Sequence, residues 1–252
     1  MSIFIPTDSL DALARKLCIG PYATVQEQKL TPAENTEFNI TENDYHFVMK
    51  GIHYQGGYQD IEWRKDLLKK VRTQDEWFEF FHGSEYKLPD APLYHATLAH
   101  LYRCKDGPKS NLVKRIRAMF AKKFRNNYLM TGTRVVYDPL GKDIVKHNLS
   151  GVTKQATIVG ANDTIHSQSG FDDSIEALLG TRDLTEVEQV YKWISGNKPY
   201  LYRQNTQPQK ITEKAVVLGV DNYGRFSIIA SSNINNRWPA LMVVCTGAKN
   251  SR

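Results

Sequence analysis

The chain has little with which to staple itself and nothing with which to cross a bilayer. Its three cysteines, Cys18, Cys104 and Cys245, are odd in number and far apart, which argues against a disulfide framework and suits a reducing compartment. No segment approaches the roughly 18 consecutive apolar residues of a membrane-spanning helix. The opening residues MSIFIPTDSLDALARK lack a basic segment followed by an apolar one. The expectation is therefore a soluble, cytoplasmic protein without membrane insertion.

Chemical signatures are also missing. There is no Cys-x-x-Cys, no His-Glu-x-x-His and no Gly-x-Ser-x-Gly, so neither the usual zinc spacings nor an acyl-transfer elbow is present. GPKSNLV brings Gly, Lys and Ser ahead of a helix, but without the spacing or preceding strand of a phosphate loop. Seven histidines do not compensate. His95 and His100 lie about 140° apart around one helix and cannot share a metal as an i,i+4 pair does. His46 and His53 lie seven apart in an extended region, and His82, His147 and His166 are scattered. No metal and no cofactor is expected.

One absence is local. The stretch KSNLVKRIRAMFAKKFRNN, residues 109 to 127, holds seven basic side chains and no acid. From Leu101 to His147 twelve Lys or Arg face three Asp, while the whole chain carries a formal charge of +6. The remainder is therefore net negative and the positive field is concentrated, which attracts polyanions or acidic partners. On a helical wheel Leu112, Val113, Ile116, Met119, Phe120 and Phe124 fall on one side. Lys114, Arg115, Lys122 and Arg125 fall on the other; Arg117 sits at the border, and Lys123 leans toward the apolar side. Leu112, Ile116, Phe120 and Phe124 are expected to be buried, because so apolar a face needs a core.

Elsewhere, caps and spacing place the elements. Helices are expected over TDSLDALARKLCIGP, DIEWRKDLLKKVR, the short WFEFFHG behind the Thr73–Glu76 capping box, and LPDAPLYHATLAHLYRCKDG with Asp90 as N-cap. TRVVYDPLGKDIVKH reads as a hairpin around Asp138–Gly141, and QATIVG as a strand. FDDSIEALLG and DLTEVEQVYKWISG read as glycine-terminated helices. The tail is β-rich, with a hairpin over Asp221–Gly224. With no regular βαβ alternation the class is α+β: a helix-rich N-terminal half and a β-hairpin-rich C-terminal half, packed as one unit over 1–252. A two-lobe division near 130–133 is the alternative.

The leading functional expectation is a nucleic-acid-associated protein, DNA or RNA, that binds the phosphate backbone through the basic amphipathic helix. Lys114, Arg115, Arg117, Lys122 and Arg125 would be the contacts, extended by Arg134, Lys142 and Lys146 if the hairpin packs alongside. YKWISGNKPYLYR interleaves Tyr191, Trp193, Tyr200 and Tyr202 with Lys192, Lys198 and Arg203, a pattern suited to stacking single-stranded bases, though alternating tyrosines are also ordinary strand packing. A second reading is a non-catalytic assembly protein whose basic face docks an acidic partner. A third is a phosphodiester hydrolase using Asp138, Asp143 and His147, against which Asp138 before Pro139 is ordinary turn chemistry.

Overall fold

In the computed structural model residues 39–148 and 154–247 are described, and both segments lie in the unit Thr36–Arg252. The helix expected near residues 8–19, and Cys18 with it, lie outside them. Strand outweighs helix, 36% against 29%, which keeps the α+β class, while a helix-rich first half is not borne out. Residues 40 to 72 form four strands: β1 (Ile40–Glu42), β2 (His46–Tyr54), β3 (Gly57–Arg64) and β4 (Leu68–Arg72). The reason is visible in DIEWRKDLLKKVR. Its charges mimic helical i,i+4 pairs, yet Ile61 and Trp63 alternate into the core, a period of two that makes one strand face.

Those strands are completed by the far end of the chain. β3 pairs antiparallel with both β2 and β13 (Val243–Gly247), giving a four-stranded sheet in the order β1-β2-β3-β13. β4 pairs with β12 (Trp238–Ala240). A larger, seven-stranded sheet runs β7-β6-β5-β10-β11-β9-β8, with β5 (Leu129–Tyr137) and β10 (Thr212–Val220) at its centre, flanked by β6 (Asp143–His147) and β11 (Phe226–Asn233). The short strands β7 (Lys154–Ala156), β8 (Asp163–Thr164) and β9 (Tyr200–Tyr202) finish its edges. All nine residues of β5 are buried, and this strand runs unbroken through 130–133.

The hairpins expected over Asp138–Gly141 and Asp221–Gly224 join β5 to β6 and β10 to β11. The expected helices other than the two already dealt with also form: α1 (Gln74–Phe81), α2 (Ala91–Arg103), α3 (Ser110–Asn126), α4 (Asp172–Leu179) and α5 (Leu184–Ser195). Thr73 closes a reciprocal capping box with Glu76, Asp90 accepts from the Leu93 N–H and Asp183 from the Glu186 N–H. Each satisfies one of the amides that a helix start leaves without an intrahelical partner. Gly180 and Gly196 end α4 and α5 with positive φ.

Helices α2 to α5 cover one face of the large sheet, and α2 also packs against β2. An aromatic chain crosses that layer: Trp63 of β3 contacts Tyr94 and Phe120, Tyr94 contacts Phe124, and Phe124 meets Phe226 of β11. The opposite face carries a smaller core of Trp77, Phe81, Leu88, Met130, Ala215, Val217, Ala240 and Met242, supplied by α1 and the β4–β12 pair. Between the two sheets sits a buried carboxylate. Asp90 accepts hydrogen bonds from Tyr54 Oη and, at 3.0 Å, from Asn148 Nδ2, so one side chain ties the end of β2 to the end of β6 while capping α2.

Candidate nucleic-acid interface

The basic stretch becomes α3, and its apolar face is a structural necessity. Val113, Ile116, Phe120 and Phe124 are buried and Leu112 is half-buried against the same core. That face is occupied by the fold itself, against β10 and α5, and so is not offered to a membrane.

The cations divide into three groups. Lys114, Lys122 and Arg125 are exposed, and none of them meets an acid within ion-pair distance among the described residues. Arg115 and Arg117 are partly engaged. Arg115 pairs with Glu42, whose carboxyl is held below its ordinary range by Lys65 and by Arg115 itself. Arg117 is half-buried, donating from Nε to the Trp193 carbonyl at 2.8 Å with its guanidinium 5.2 Å over the indole. Lys123, as its position toward the apolar side suggests, is half-buried, and burial pulls its ammonium pKa down.

Two of the hairpin cations, Arg134 and Lys146, do not join this surface. Arg134 is 7% exposed and lies on the sheet face opposite α3. There it donates to Gln74 Oε1 and Glu213 Oε2, both at 2.8 Å, and pairs with Asp75. Lys146, paired in register with Arg134, shares that face and sits 3.9 Å from Glu213. Lys142 is exposed in the β5–β6 turn. The expected extension of the basic face along the hairpin is therefore corrected: Gln74, Asp75 and Glu213 arrive from distant parts of the chain and draw Arg134 and Lys146 to the other side.

The carboxylates considered for hydrolysis have backbone partners. Asp138 accepts from the Leu140 N–H at 2.7 Å, and the fully buried Asp143 accepts from the N–H groups of Asp138 and Ile158. His147 is buried between Thr133 Oγ1 and the Ala177 carbonyl, with its pKa lowered by burial. Among the described residues no group of three or more His, Cys, Asp or Glu is placed to hold a metal. The thiols of Cys104 and Cys245 are free and are pushed up to about 11, chiefly by burial. The turn ahead of α3 lines a cleft of about 510 Å³ with Asn39, Ile40, Arg103 and Cys104, and Lys109 closes back onto the Ile40 carbonyl at 2.9 Å.

Of the aromatic and cationic residues interleaved in YKWISGNKPYLYR, Tyr191 is core, Lys198 pairs with Glu188 at 2.9 Å, and Arg203 holds loop carbonyls of residues 157 to 159. Tyr200 and Tyr202 behave differently. Leu201 between them points into the main core, so both rings stand on the opposite face of the sheet, with centroids 4.7 Å apart. Here they meet residues not singled out from the sequence: Arg225 lies 4.0 Å over Tyr200 and 4.9 Å over Tyr223. Nearby, Tyr128 packs edge-on against Trp238. The only hint in the sequence was the hairpin turn that puts Tyr223 at its tip. No helix among the described residues is long and apolar enough to cross a membrane. Compared with protein-family models, curated proteins and solved structures, the chain gives no match.

Proposed function

We propose that the protein binds the phosphate backbone of nucleic acid through the outward face of α3, with Lys114, Lys122 and Arg125 as the principal contacts and Arg115 and Arg117 as flanking ones. The observation that carries this reading is the first three charges: exposed, on a helix without a single acid, and with no ion-pair partner among the described residues. A solvated helix face ordinarily mixes signs, and i,i+4 pairs of opposite charge stabilise it. Here Lys122 and Arg125, like Lys114 and Arg117, stand three apart and place like charges together at a small energetic cost, a cost that a polyanion removes by exchanging its counterions for these side chains. The free thiols suit a reducing compartment, and the reading includes a cytoplasmic location.

The test is oligonucleotide binding across a salt series. Three phosphate contacts imply that log affinity falls against log salt with a slope of about −2 to −3. The triple variant Lys114→Glu, Lys122→Glu, Arg125→Glu should lose binding to all sequences alike while melting at nearly the temperature of the parent protein, since all three side chains stand in solvent. Absence of binding at low ionic strength would assign the face to an acidic protein partner instead.

A further inference from the structure

We infer that the end of the seven-stranded sheet beside α3 is a base-stacking platform, so that the polymer engaged by the helix is a single strand with unpaired bases. This rests on the backbone reading of α3 and adds to it the class of nucleic acid.

The geometry begins where α3 ends. Asn127 breaks the helix in extended conformation, and Tyr128 follows, three residues after Arg125. One edge of its ring packs against Gly219 of β10, where an added Cβ would come within 2.5 Å of Tyr128 Cδ1. The missing side chain at 219 is thus what lets the ring approach the sheet. β5 starts, β10 ends, and β9 and β11 both start at this end of the sheet. The aromatic residues gathered here are Trp238, Tyr128, Tyr202, Tyr200 and Tyr223.

A hydrogen-bonded frame supports these rings. Asp221 accepts from the N–H groups of Tyr223 and Arg225 and from Arg225 Nε, all at 2.9 Å. Arg225 Nη2, itself 2.9 Å from Asp221 Oδ2, donates to Tyr202 Oη at 3.0 Å. Closing the hairpin accounts for Asp221 and Arg225. It does not account for Tyr223, which is 78% exposed and holds a ring out beside a guanidinium plane. Burial and the Asp221 charge push the phenols of Tyr128 and Tyr202 upward. Aromatic faces backed by arginine offer unstacked bases a π-surface; they lie on the sheet face opposite α3, so a strand held by both rounds the end of the sheet, where Arg125 precedes Tyr128 by three residues. A duplex keeps its bases in its own stack and offers only phosphates.

The experiment measures the anisotropy of labelled oligo(dT), oligo(U) and a mixed-sequence duplex of equal length at one salt concentration. It uses the full chain, Tyr223→Ala, Tyr223→Phe and the triple α3 variant. The full chain should prefer single strands. Tyr223→Ala should weaken them about tenfold, as the loss of one stacked base does, without altering duplex affinity or the melting temperature, and Tyr223→Phe should keep the preference. A preference over duplex in either the dT or the U arm supports the inference; the two differ in the C5 methyl as well as in the sugar. Equal affinity for single strand and duplex, with Tyr223→Ala indifferent, overturns the platform and leaves the helix reading standing. Loss with Tyr223→Ala but none with the α3 variant keeps the platform and overturns the helix. No binding to any of the three overturns both.

Discussion

Phe120 makes no contact with water, and its ring stands edge-on to Trp63 and stacks on Phe124. Phe120→Ala should therefore cost about 3–5 kcal/mol in urea unfolding. This also measures how far α3 belongs to the core, since a helix held only at its surface would lose far less. Arg134 gives the converse prediction. Its partners are internal, and Gln74 is fully buried, so Arg134→Ala should cost about 1–3 kcal/mol by leaving Gln74 Oε1 without its donor, while oligonucleotide affinity stays that of the parent. Arg134 and Arg125 look alike in the sequence. What separates them is three partners contributed from residues 74, 75 and 213, which no local pattern announces.

His100 carries a pH dependence. Burial lowers its pKa to about 4 from 6.5, so the unfolded chain takes up a proton that the folded chain refuses. Its contribution to stability is complete above about pH 6.5 and is lost as pH falls toward 4. The raised carboxyl of Asp90 works in the opposite sense, so the comparison is with His100→Gln: the parent should lose stability between pH 6.5 and 4.5 more steeply than the variant. Equal slopes would remove His100 from the account.

At the scale of elements, the helices α2 to α5 were legible because each carries its own instructions: an N-cap, a final glycine, or an apolar stripe at helical spacing. The strands β3 and β4 were not. DIEWRKDLLKKVR has helical charge spacing, and what makes it extended is pairing of β3 with its hairpin neighbour β2 and, some 170 to 190 residues away, of β3 with β13 and of β4 with β12. Tertiary pairing then overrides local preference. The site divides in the same manner. The cationic face of α3 could be read because helix geometry alone separates it from the apolar stripe, whereas the aromatic platform draws on residues 128, 200, 202, 223 and 238, which only the sheet brings together. Gly219 is its quiet member. Gly219→Ala should shift Tyr128 off the sheet, seen as a change in tyrosine ring resonances, and should lower the preference for single strands along with stability.

For the whole molecule, the decisive junction is Asp90. Asp90→Ala removes the cap of α2, leaves Tyr54 Oη buried without its acceptor and takes one acceptor from Asn148 Nδ2, which should cost about 3 kcal/mol or more. Because the same carboxylate meets both sheets, their unfolding should stay coincident in circular dichroism and tryptophan fluorescence.

The return of β13 to β3 has a consequence for how the protein is made. Cys245 pairs with Ile61, so on the ribosome β3 has one ladder partner and one bare edge until almost the last described residue has been added. At about 5–20 residues per second, that edge waits roughly ten seconds or longer after β3 has been synthesised. The nascent chain is thus exposed to edge-to-edge association while the residues between β3 and β13 are made, and its yield should respond more to chaperone supply than its equilibrium stability would suggest.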